Sequence, residues 1–306
     1  MDPVGGSDLG PLVDCNVHLW DQQSNPVFWL SDRTRVRDIL GNYDSLPDTY
    51  TLADYRQETE GHDIAGVVWS DAGAADPVAA VEWVAKQRVA KQRKGLPPVI
   101  GMVALGDPAS SGFEELIELS RRVPLVRSVR MRVVEGMSTG GVGGEDFLGD
   151  PLVRENLGQL AQAGLVATIE ATSDRLDLVV RVAGQFPDLR IVVDHFGWPT
   201  DLSERGRAEH LGRLAVVAAI PQVVTRIDAI GTIFGDWSVA TIRPWLLEVT
   251  ELFGPDRCML GSDIPIERLR SGFTELYAAY GEVFSAYSED ERAQLFHRTA
   301  RGCYGA

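Results

Sequence analysis

The feature that most constrains the fold is a regular alternation between short runs rich in β-branched residues and longer runs with helical spacing. The alternation repeats eight times along the 306 residues. The eight predicted strands cover 13–19, 64–70, 99–104, 126–134, 165–170, 189–195, 223–228 and 258–263. Alternating β and α elements are typical of parallel sheets. Eight such units in a chain of this length predict an α/β fold, a single (β/α)8 TIM barrel.

The runs between these strands have the apolar spacing of amphipathic helices. Helices are predicted over about 52–60, 77–94, 113–122, 151–163, 176–184, 203–219, 239–253, 273–284 and 289–302. No composition shift or long linker divides the chain. We therefore predict one barrel domain over residues 12–306, preceded by a flexible tail over residues 1–11.

Charge and composition narrow the classes of partner. The formal net charge is −15, and an acidic protein is repelled by nucleic acid and by anionic membrane surfaces. No run of 18 or more apolar residues occurs, and residues 1–11 lack the basic and apolar regions of a signal peptide. The sequence therefore predicts a cytoplasmic protein that acts on a small molecule. It does not decide whether the protein forms a homo-oligomer.

The first predicted strand carries unusual polar residues. Side chains alternate between the two faces of a strand, so Asp14, Asn16, His18 and Trp20 are expected on one face. The apolar Val13, Cys15, Val17 and Leu19 are expected on the other. With only three cysteines and no Cys-x-x-Cys spacing, neither a disulfide framework nor a thiolate zinc site is indicated, and Cys15 is interpreted as core.

All the predicted strands but the third end in polar side chains. These are Asn16 and His18, Ser70, Arg130 and Arg132, Glu170, His195, Arg226 with Asp228, and Asp263. Polar groups at the ends of apolar strands are costly unless they are paired or used, and barrel enzymes build their sites at the carboxyl ends of the strands. We therefore take these residues as the candidate site, with Trp20 and Trp198 as candidate walls of its pocket.

Each candidate has a structural alternative. His195 could be a core histidine bonded to a carbonyl, and Asp263 could cap the turn that follows it. Arg130 and Arg132 could form structural ion pairs with Glu170 on the neighbouring strand. The other histidines, His62, His210 and His297, stand in polar contexts and are predicted to lie on the surface. The glycine-rich loop over 136–149 lacks the ending of a phosphate-binding loop and is interpreted as a mobile βα loop.

Four stretches together resemble a known family. They are Asp-Cys-Asn-Val-His-Leu-Trp-Asp (14–21), Val-Arg-Ser-Val-Arg (126–130), Phe-Pro-Asp-Leu-Arg-Ile-Val-Val-Asp-His-Phe-Gly-Trp-Pro (186–199) and Phe-Gly-Pro-Asp-Arg-Cys-Met-Leu-Gly-Ser-Asp-Ile-Pro (253–265). Their order resembles the amidohydrolase-related (amidohydrolase 2) family of TIM-barrel hydrolases, closest in pattern to sugar lactonases and 2-pyrone-4,6-dicarboxylate lactonase. The resemblance implies that His18, His195 and Asp263 take the family's site positions on strands one, six and eight.

Three residues depart from the family pattern and bear on metal binding. Asn16 replaces the first histidine of the strand-one motif, Trp198 replaces a usual lysine, and Arg226 stands where lysine is common. Asn16 is a poor metal ligand, so we expect a metal-independent site with no cofactor. The alternative is one divalent zinc or manganese ion held by His18, His195 and Asp263, since a catalytic zinc needs three protein ligands and a water.

A hydrolytic reaction follows from these residues. Asp263 would accept a proton from the water that attacks a carbonyl, and His18, His195 and Asn16 would stabilise the oxyanion. Arginine forks bind carboxylates, so Arg130, Arg132 and Arg226 predict a small anionic cyclic substrate, such as a lactone bearing a carboxylate. The alternatives are a metal-dependent hydrolase or decarboxylase on the same barrel, and an inactive barrel that only binds a small molecule.

Overall fold

The computed structural model describes residues 9–91, 95–133 and 147–305. The chain forms eight parallel strands that pair in sequence order. They are β1 (Leu12–Val17), β2 (Ile64–Ser70), β3 (Val99–Leu105), β4 (Val126–Arg132), β5 (Val166–Glu170), β6 (Ile191–Val193), β7 (Val223–Ile227) and β8 (Cys258–Leu260). The predicted (β/α)8 barrel is confirmed. Most of the predicted tail, residues 1–8, and most of the glycine-rich loop lie outside the described residues.

The barrel is closed at the seam between its first and last strands. The Asp263 backbone N–H donates to the Asn16 carbonyl at 2.9 Å, and the His18 N–H donates to the Ile264 carbonyl at 2.8 Å. Val17 and Ile264 form a parallel bridge at the same place. The backbone hydrogen bonds that complete the circle of strands are therefore made in part by the candidate site residues Asn16, His18 and Asp263.

Helices surround the barrel as the apolar spacing predicted. The main ones are Leu52–Glu58, Pro77–Lys91, Phe113–Arg122, Pro151–Gln162, Asp177–Gln185, Glu204–Ala218, Val239–Phe253 and Phe273–Val283. The final predicted helix is Glu289–Ala293 and Thr299–Tyr304 with a π-helical turn, Gln294–Arg298, between them. None of the helices in the described part of the chain is long and apolar enough to cross a membrane.

Five strands end earlier than predicted. The first ends at Val17, the fourth at Arg132, the sixth at Val193, the seventh at Ile227 and the eighth at Leu260. After β6 and β8 the backbone enters left-handed conformations, with φ of 50° at His195 and 60° at Asp263. A strand requires negative φ, so the site residues follow these strands and do not belong to them.

The barrel interior is a separate apolar cluster. It contains Val13, Cys15, Val68, Val103, Val166, Val192, Met259, Ala300 and Tyr304. Cys15 is buried and unpaired, as predicted. The carboxyl-terminal Tyr304 fills the interior against Gly101, where a Cβ would lie 2.7 Å from the tyrosine Cβ. The larger cluster lies between the strands and the helices.

The predicted alternation along the first strand is wrong beyond Asp14. Val13 and Cys15 face the barrel interior, but Val17 packs in the outer cluster with Leu12. The pairing of β1 with β2 has a register irregularity between Asp14 and Val17, which shifts the phase of the strand. Asp14 therefore does not share a face with Asn16.

The prediction that His210 lies on the surface is also wrong. Its side chain is 1% exposed, and Nδ1 lies 3.0 Å from the Ser173 hydroxyl. Burial lowers the pKa of His210 to about 4, so the imidazole is neutral at physiological pH. Arg213, three residues further along helix Glu204–Ala218, donates to the same Ser173 hydroxyl at 3.3 Å. His62 and His297 are half-buried.

Candidate active site

A pocket opens at the carboxyl ends of the strands, and its lining residues are of two kinds. The ionisable ones are His18, Arg130, Arg132, Glu170, His195 and Asp263. The others, nearly all apolar, are Trp29, Val36, Ile39, Leu40, Trp198, Ala229, Thr232 and Ile266. The carboxyl end is where βα loops build the sites of barrel enzymes, so this pocket is the candidate active site.

At the seam of β1 and β8, two side chains converge on one carboxylate. The Asn16 amide donates to Asp263 Oδ1 at 3.0 Å, and His18 Nε2 lies 2.9 Å from the same oxygen. His18 Nδ1 lies 2.8 Å from the Ser70 carbonyl, which can only accept, so Nδ1 carries a hydrogen. A hydrogen bond between His18 Nε2 and Asp263 Oδ1 also needs a hydrogen, which lies either on Nε2 or on the carboxylate.

A buried anchor behind the strand holds Asp263 in place. Asp14 accepts from the Ser262 N–H at 2.8 Å, from the Ser262 hydroxyl at 2.6 Å and from the Tyr55 hydroxyl at 2.9 Å. Burial raises the pKa of Asp14 to about 6, although these bonds lower it. The Ser262 hydroxyl lies 3.1 Å from the Ile264 N–H, which fixes the left-handed turn at Asp263.

His195 reaches the pocket through a left-handed turn. The four consecutive residues from His195 to Trp198 all have positive φ, with values between 38° and 81°. The turn directs His195 Nδ1 to Asp228 Oδ1 at 2.7 Å and sets the ring edge-on to Trp198, with centroids 5.0 Å apart. Burial alone would lower the pKa of His195, but Asp228, Asp194 and Glu170 outweigh it and raise the pKa to about 9. The imidazole is therefore protonated, and Nε2 remains available to donate to a ligand.

The ionisable lining residues rest on a buried network of ion pairs. Arg132 Nε donates to Glu170 Oε2 at 2.8 Å, and Arg130 Nε lies 3.5 Å from the same oxygen. Arg226 Nε lies 2.8 Å from Asp194 Oδ1. Burial would raise the pKa of Glu170, but Arg132, Arg130 and His195 lower it to about 2. Glu170 therefore stays ionised.

Several predicted residues lie beneath the pocket and do not line it. Arg226 is fully buried and donates to the Ser70 hydroxyl at 2.9 Å, and Asp228 is fully buried against His195. Asn16 is likewise covered by Asp263. Trp20 lies away from the pocket, where its Nε1 donates to the Pro47 carbonyl at 2.9 Å. The wall expected from Trp20 is supplied by Trp29.

Sequence reasoning missed Asp194 and most of the apolar lining residues. Asp194 is two residues after Val192, which faces the barrel interior, so strand periodicity could have placed it inward. The residues Trp29, Val36, Ile39 and Leu40 belong to the long segment after β1. No periodic signal indicates which side chains of such a segment turn toward the pocket.

The histidine and carboxylate side chains of the pocket decide whether a divalent metal ion could bind there. Among the described residues, one group of three has all its ligand atoms within 4.8 Å of one another: Glu170, Asp194 and His195. Both carboxylates are paired with arginines, so a cation there would meet three guanidinium groups. The trio predicted from sequence, His18, His195 and Asp263, does not form such a group. His18 and Asp263 alone provide one ligand fewer than catalytic zinc sites use, so the predicted trio does not fit a catalytic zinc or manganese ion.

Comparison with known proteins shows what the chain is similar to. The family model described as amidohydrolase matches residues 13–306. The uncharacterized protein y4mH of Sinorhizobium fredii is 26% identical over 97% of this chain and 99% of that protein. An L-fucono-1,5-lactonase from Burkholderia ambifaria is 28% identical over 44% of this chain, and the match covers 47% of the lactonase.

Solved structures share the fold at low identity. An amidohydrolase from Burkholderia multivorans with bound zinc has a TM-score of 0.77 at 18% identity, covering 96% of this chain and 99% of that one. A candidate 2-pyrone-4,6-dicarboxylic acid hydrolase from Pseudomonas putida has a TM-score of 0.66 at 19% identity, covering 96% and 97%.

Proposed function

Because the chain belongs to the amidohydrolase family and is a hydrolase, we propose that it opens a lactone that bears a carboxylate. The observation that carries this proposal is that one pocket holds two arginines, Arg130 and Arg132, together with Asp263, whose described ion pair is with His18 and not with an arginine. Asp263 can serve as a base, while an arginine can bind an anionic group of the substrate. The partial match to L-fucono-1,5-lactonases supports a cyclic ester as the substrate.

In the proposed reaction Asp263 removes a proton from water as the water oxygen bonds to the lactone carbonyl carbon. Asn16 and His18 both contact Asp263 Oδ1, so their role is to orient this carboxylate. His195 Nε2 donates to the carbonyl oxygen as it becomes negative. The ring C–O bond then breaks, and the proton held by Asp263 passes to the departing alkoxide.

Of the three candidate arginines, Arg132 is the best placed to bind the substrate carboxylate. Arg130 Nη2 donates to the Asp71 carbonyl at 2.8 Å, and Arg226 is fully buried. Among the described residues, the two Nη atoms of Arg132 make only long contacts, both of 3.4 Å, to the Ala72 carbonyl. Arg132 therefore lines the pocket with its terminal nitrogens weakly engaged, and a bound carboxylate would gain two charge-assisted hydrogen bonds.

We further propose that the reaction runs without a metal ion. The support is the charge pattern of the donor set, in which the clustered carboxylates are already neutralised by arginines. The zinc in the Burkholderia multivorans structure belongs to a protein only 18% identical to this chain.

The proposed function is tested by assaying the purified protein on a panel of carboxylated lactones, with ring opening followed by titration of the acid released. Elemental analysis of the same preparation shows whether metal is present. Ring opening by metal-free protein supports the proposal. Ligand binding without turnover of any lactone would support a barrel that only binds small molecules.

A further inference from the structure

A buried carboxylate that does not line the pocket joins two of the loops that build it. Glu267 lies in the turn Ile266–Leu269, after β8, and is fully buried. Its Oε2 accepts from the Gly231 N–H at 2.8 Å, and Gly231 belongs to the short helix Ile230–Phe234, after β7. One side chain thus connects the loop after β7 with the loop after β8.

The contact with Gly231 supplies a cap that the helix Ile230–Phe234 lacks at its own start. The first N–H groups of a helix have no partner within the helix, and the residue before it usually provides a side-chain oxygen. Here that residue is Ala229, which has no polar side chain, so Glu267 provides the oxygen from another loop. Ala229 and Thr232 line the pocket, and this part of the lining is therefore held by Glu267.

Two further donors hold the Glu267 carboxylate. Trp237 Nε1 donates to Oε1 at 3.2 Å, and the Ser271 hydroxyl donates to the same oxygen at 2.7 Å. All three donors are neutral, so an uncharged glutamine at this position would leave none of them as an unpaired buried charge. The glutamine amide nitrogen, however, would face a donor where the carboxylate offers an oxygen.

Both turns that Glu267 joins contain a strained residue. Asp263 has φ of 60° and Ala229 has φ of 55°, and a left-handed conformation at a residue other than glycine persists only where surrounding contacts hold it. The Glu267 N–H donates to the Asp263 carbonyl at 3.1 Å, while its side chain holds Gly231, two residues after Ala229. Glu267 therefore contacts the turn of the proposed base with its backbone and the neighbouring turn with its side chain.

From these contacts, and resting on the proposed function, we propose that Glu267 is a positioning residue for the reaction. It holds the loop after β8 against the loop after β7 and so keeps Asp263 in the orientation in which it takes a proton from the attacking water. Ile266, Ala229 and Thr232 line the pocket from the same two loops and keep their place relative to Asp263 for the same reason. Proton transfer needs heavy atoms within hydrogen-bond reach, so a small shift of Asp263 slows the reaction.

The first test is Glu267→Gln, assayed on a carboxylated lactone that the wild-type protein opens, with kcat referred to the folded protein measured by circular dichroism. Misplacement of a reacting group by about 1 Å can cost about 100-fold, so kcat should fall by about 10- to 100-fold. KM should stay close to wild type, because the change acts on the base and not on substrate binding. Glu291→Gln is the matched control, since Glu291 also accepts from a backbone N–H at the start of a helix, from Ser288 at 2.8 Å, and does not line the pocket. It should keep the wild-type kcat.

A second variant breaks the same contact from the other loop. A Cβ on Gly231 would lie 2.8 Å from Glu267 Oε1 and 2.6 Å from Arg270 Cβ, so Gly231→Ala pushes the helix away from the carboxylate. Two changes that break one contact are not additive, so the double variant should have about the kcat of the less active single variant. Gly212→Ala is the control, because a Cβ there, in the outer helix Glu204–Ala218, meets open space.

The outcomes separate this inference from the proposed function. An unchanged kcat in folded Glu267→Gln, or losses that multiply in the double variant, would overturn the inference and leave the proposed function standing. If the wild-type protein opens no carboxylated lactone, the proposed function fails and the inference falls with it. If Glu267→Gln does not fold, Trp237→Phe decides, because it removes one donor from the carboxylate. A lower kcat at unchanged KM then supports the inference, and an unchanged kcat overturns it.

Discussion

Two parts of the same pocket handle carboxylates in opposite ways. At the seam of β1 and β8, Asp263 is contacted by an amide and an imidazole, and none of its described ion pairs involves an arginine. From β4 to β7, the carboxylates Glu170 and Asp194 are each held by two arginines. The first arrangement leaves Asp263 without a guanidinium among its described ion pairs, and the second holds Glu170 and Asp194 in place with arginines.

The difference suggests a division of labour in this barrel. A guanidinium holds a carboxylate ionised and in place, which suits a scaffold but opposes proton transfer. A neutral donor such as the Asn16 amide orients a carboxylate without that large electrostatic bias. Asn16 thus contributes to the seam, where the proposed base lies, through its hydrogen bond to Asp263.

The largest expected effect, and the strongest test of this comparison, comes from replacing Asp263 at the seam. Asp263→Asn keeps an oxygen that can accept from Asn16 but removes the base, so kcat should fall by about 10³-fold. The melting temperature and circular dichroism should stay close to wild type. Asp201→Asn, at a surface carboxylate, is the control. A fully active Asp263→Asn protein would show that another group activates the water.

On the ion-paired side, the expected loss is one of stability. Glu170→Gln removes the charge that Arg130 and Arg132 share, and breaking a buried ion pair costs about 3 kcal/mol. Urea unfolding measures the loss. Glu209→Gln, in an exposed pair with Arg205, should change the free energy of unfolding by less than about 0.5 kcal/mol. Equal effects of the two variants would contradict the structural role of Glu170.

The pH dependence of stability sharpens the same contrast. Burial would raise the pKa values of Glu170 and Asp228. Arg132 outweighs burial at Glu170 and His195 outweighs it at Asp228, so both pKa values are lowered to about 2 in the folded protein. Their contribution is therefore present above about pH 4.5 and lost as pH falls through 2, by about 2 to 3 kcal/mol for each group.

His195 acts in the opposite direction. Its folded-state pKa of about 9 lies above the ordinary value of 6.5, so its contribution is present below pH 6.5 and lost as pH rises through 9. Urea unfolding at several pH values should find a maximum between these limits. A free energy of unfolding that does not change from pH 7 to pH 3 would contradict the ionised network.

A smaller effect distinguishes Arg132 within the network. Arg132→Gln should lower the ratio of kcat/KM for a carboxylated lactone to that for its neutral amide by about 10-fold, because one charged contact is lost. The same ratio measured for the wild-type protein is the reference. If the ratio does not change, the carboxylate binds elsewhere in the pocket.

The smallest expected effect is that of a chelator. Dialysis against EDTA should leave kcat unchanged, because in the proposed reaction Asp263 activates the water without a metal ion. Elemental analysis before and after dialysis confirms whether metal was removed. Loss of activity that zinc or manganese restores would contradict metal-independent chemistry.

Much of the fold could be predicted because barrel strands are buried on both faces. Their continuous β-branched runs, such as Ile191–Val193, stand out from the amphipathic helices between them. The polar residues at strand ends were predicted for the same reason, since parallel strands bring their carboxyl ends to one face of the barrel.

Other features depend on contacts that no local pattern contains. The phase shift between Asp14 and Asn16 accompanies the contact of Asn16 with Asp263, a residue 247 positions away. The left-handed turn at His195 and the choice of Trp29 over Trp20 as a wall depend on how loops pack. Asp194 is a different case, because strand periodicity alone is enough to place its side chain on the inward face with Val192.

The closed seam between β1 and β8 also governs when the site comes into existence. Asn16 lies in β1 and His18 follows that strand, whereas Asp263 follows β8, 245 residues after His18. Such long-range pairing can form only after nearly all of the sequence has been translated. A nascent or truncated chain that ends before β8 contains both partners of the base but lacks the base itself. Catalysis by Asp263 therefore serves as a stringent reporter of a completed barrel.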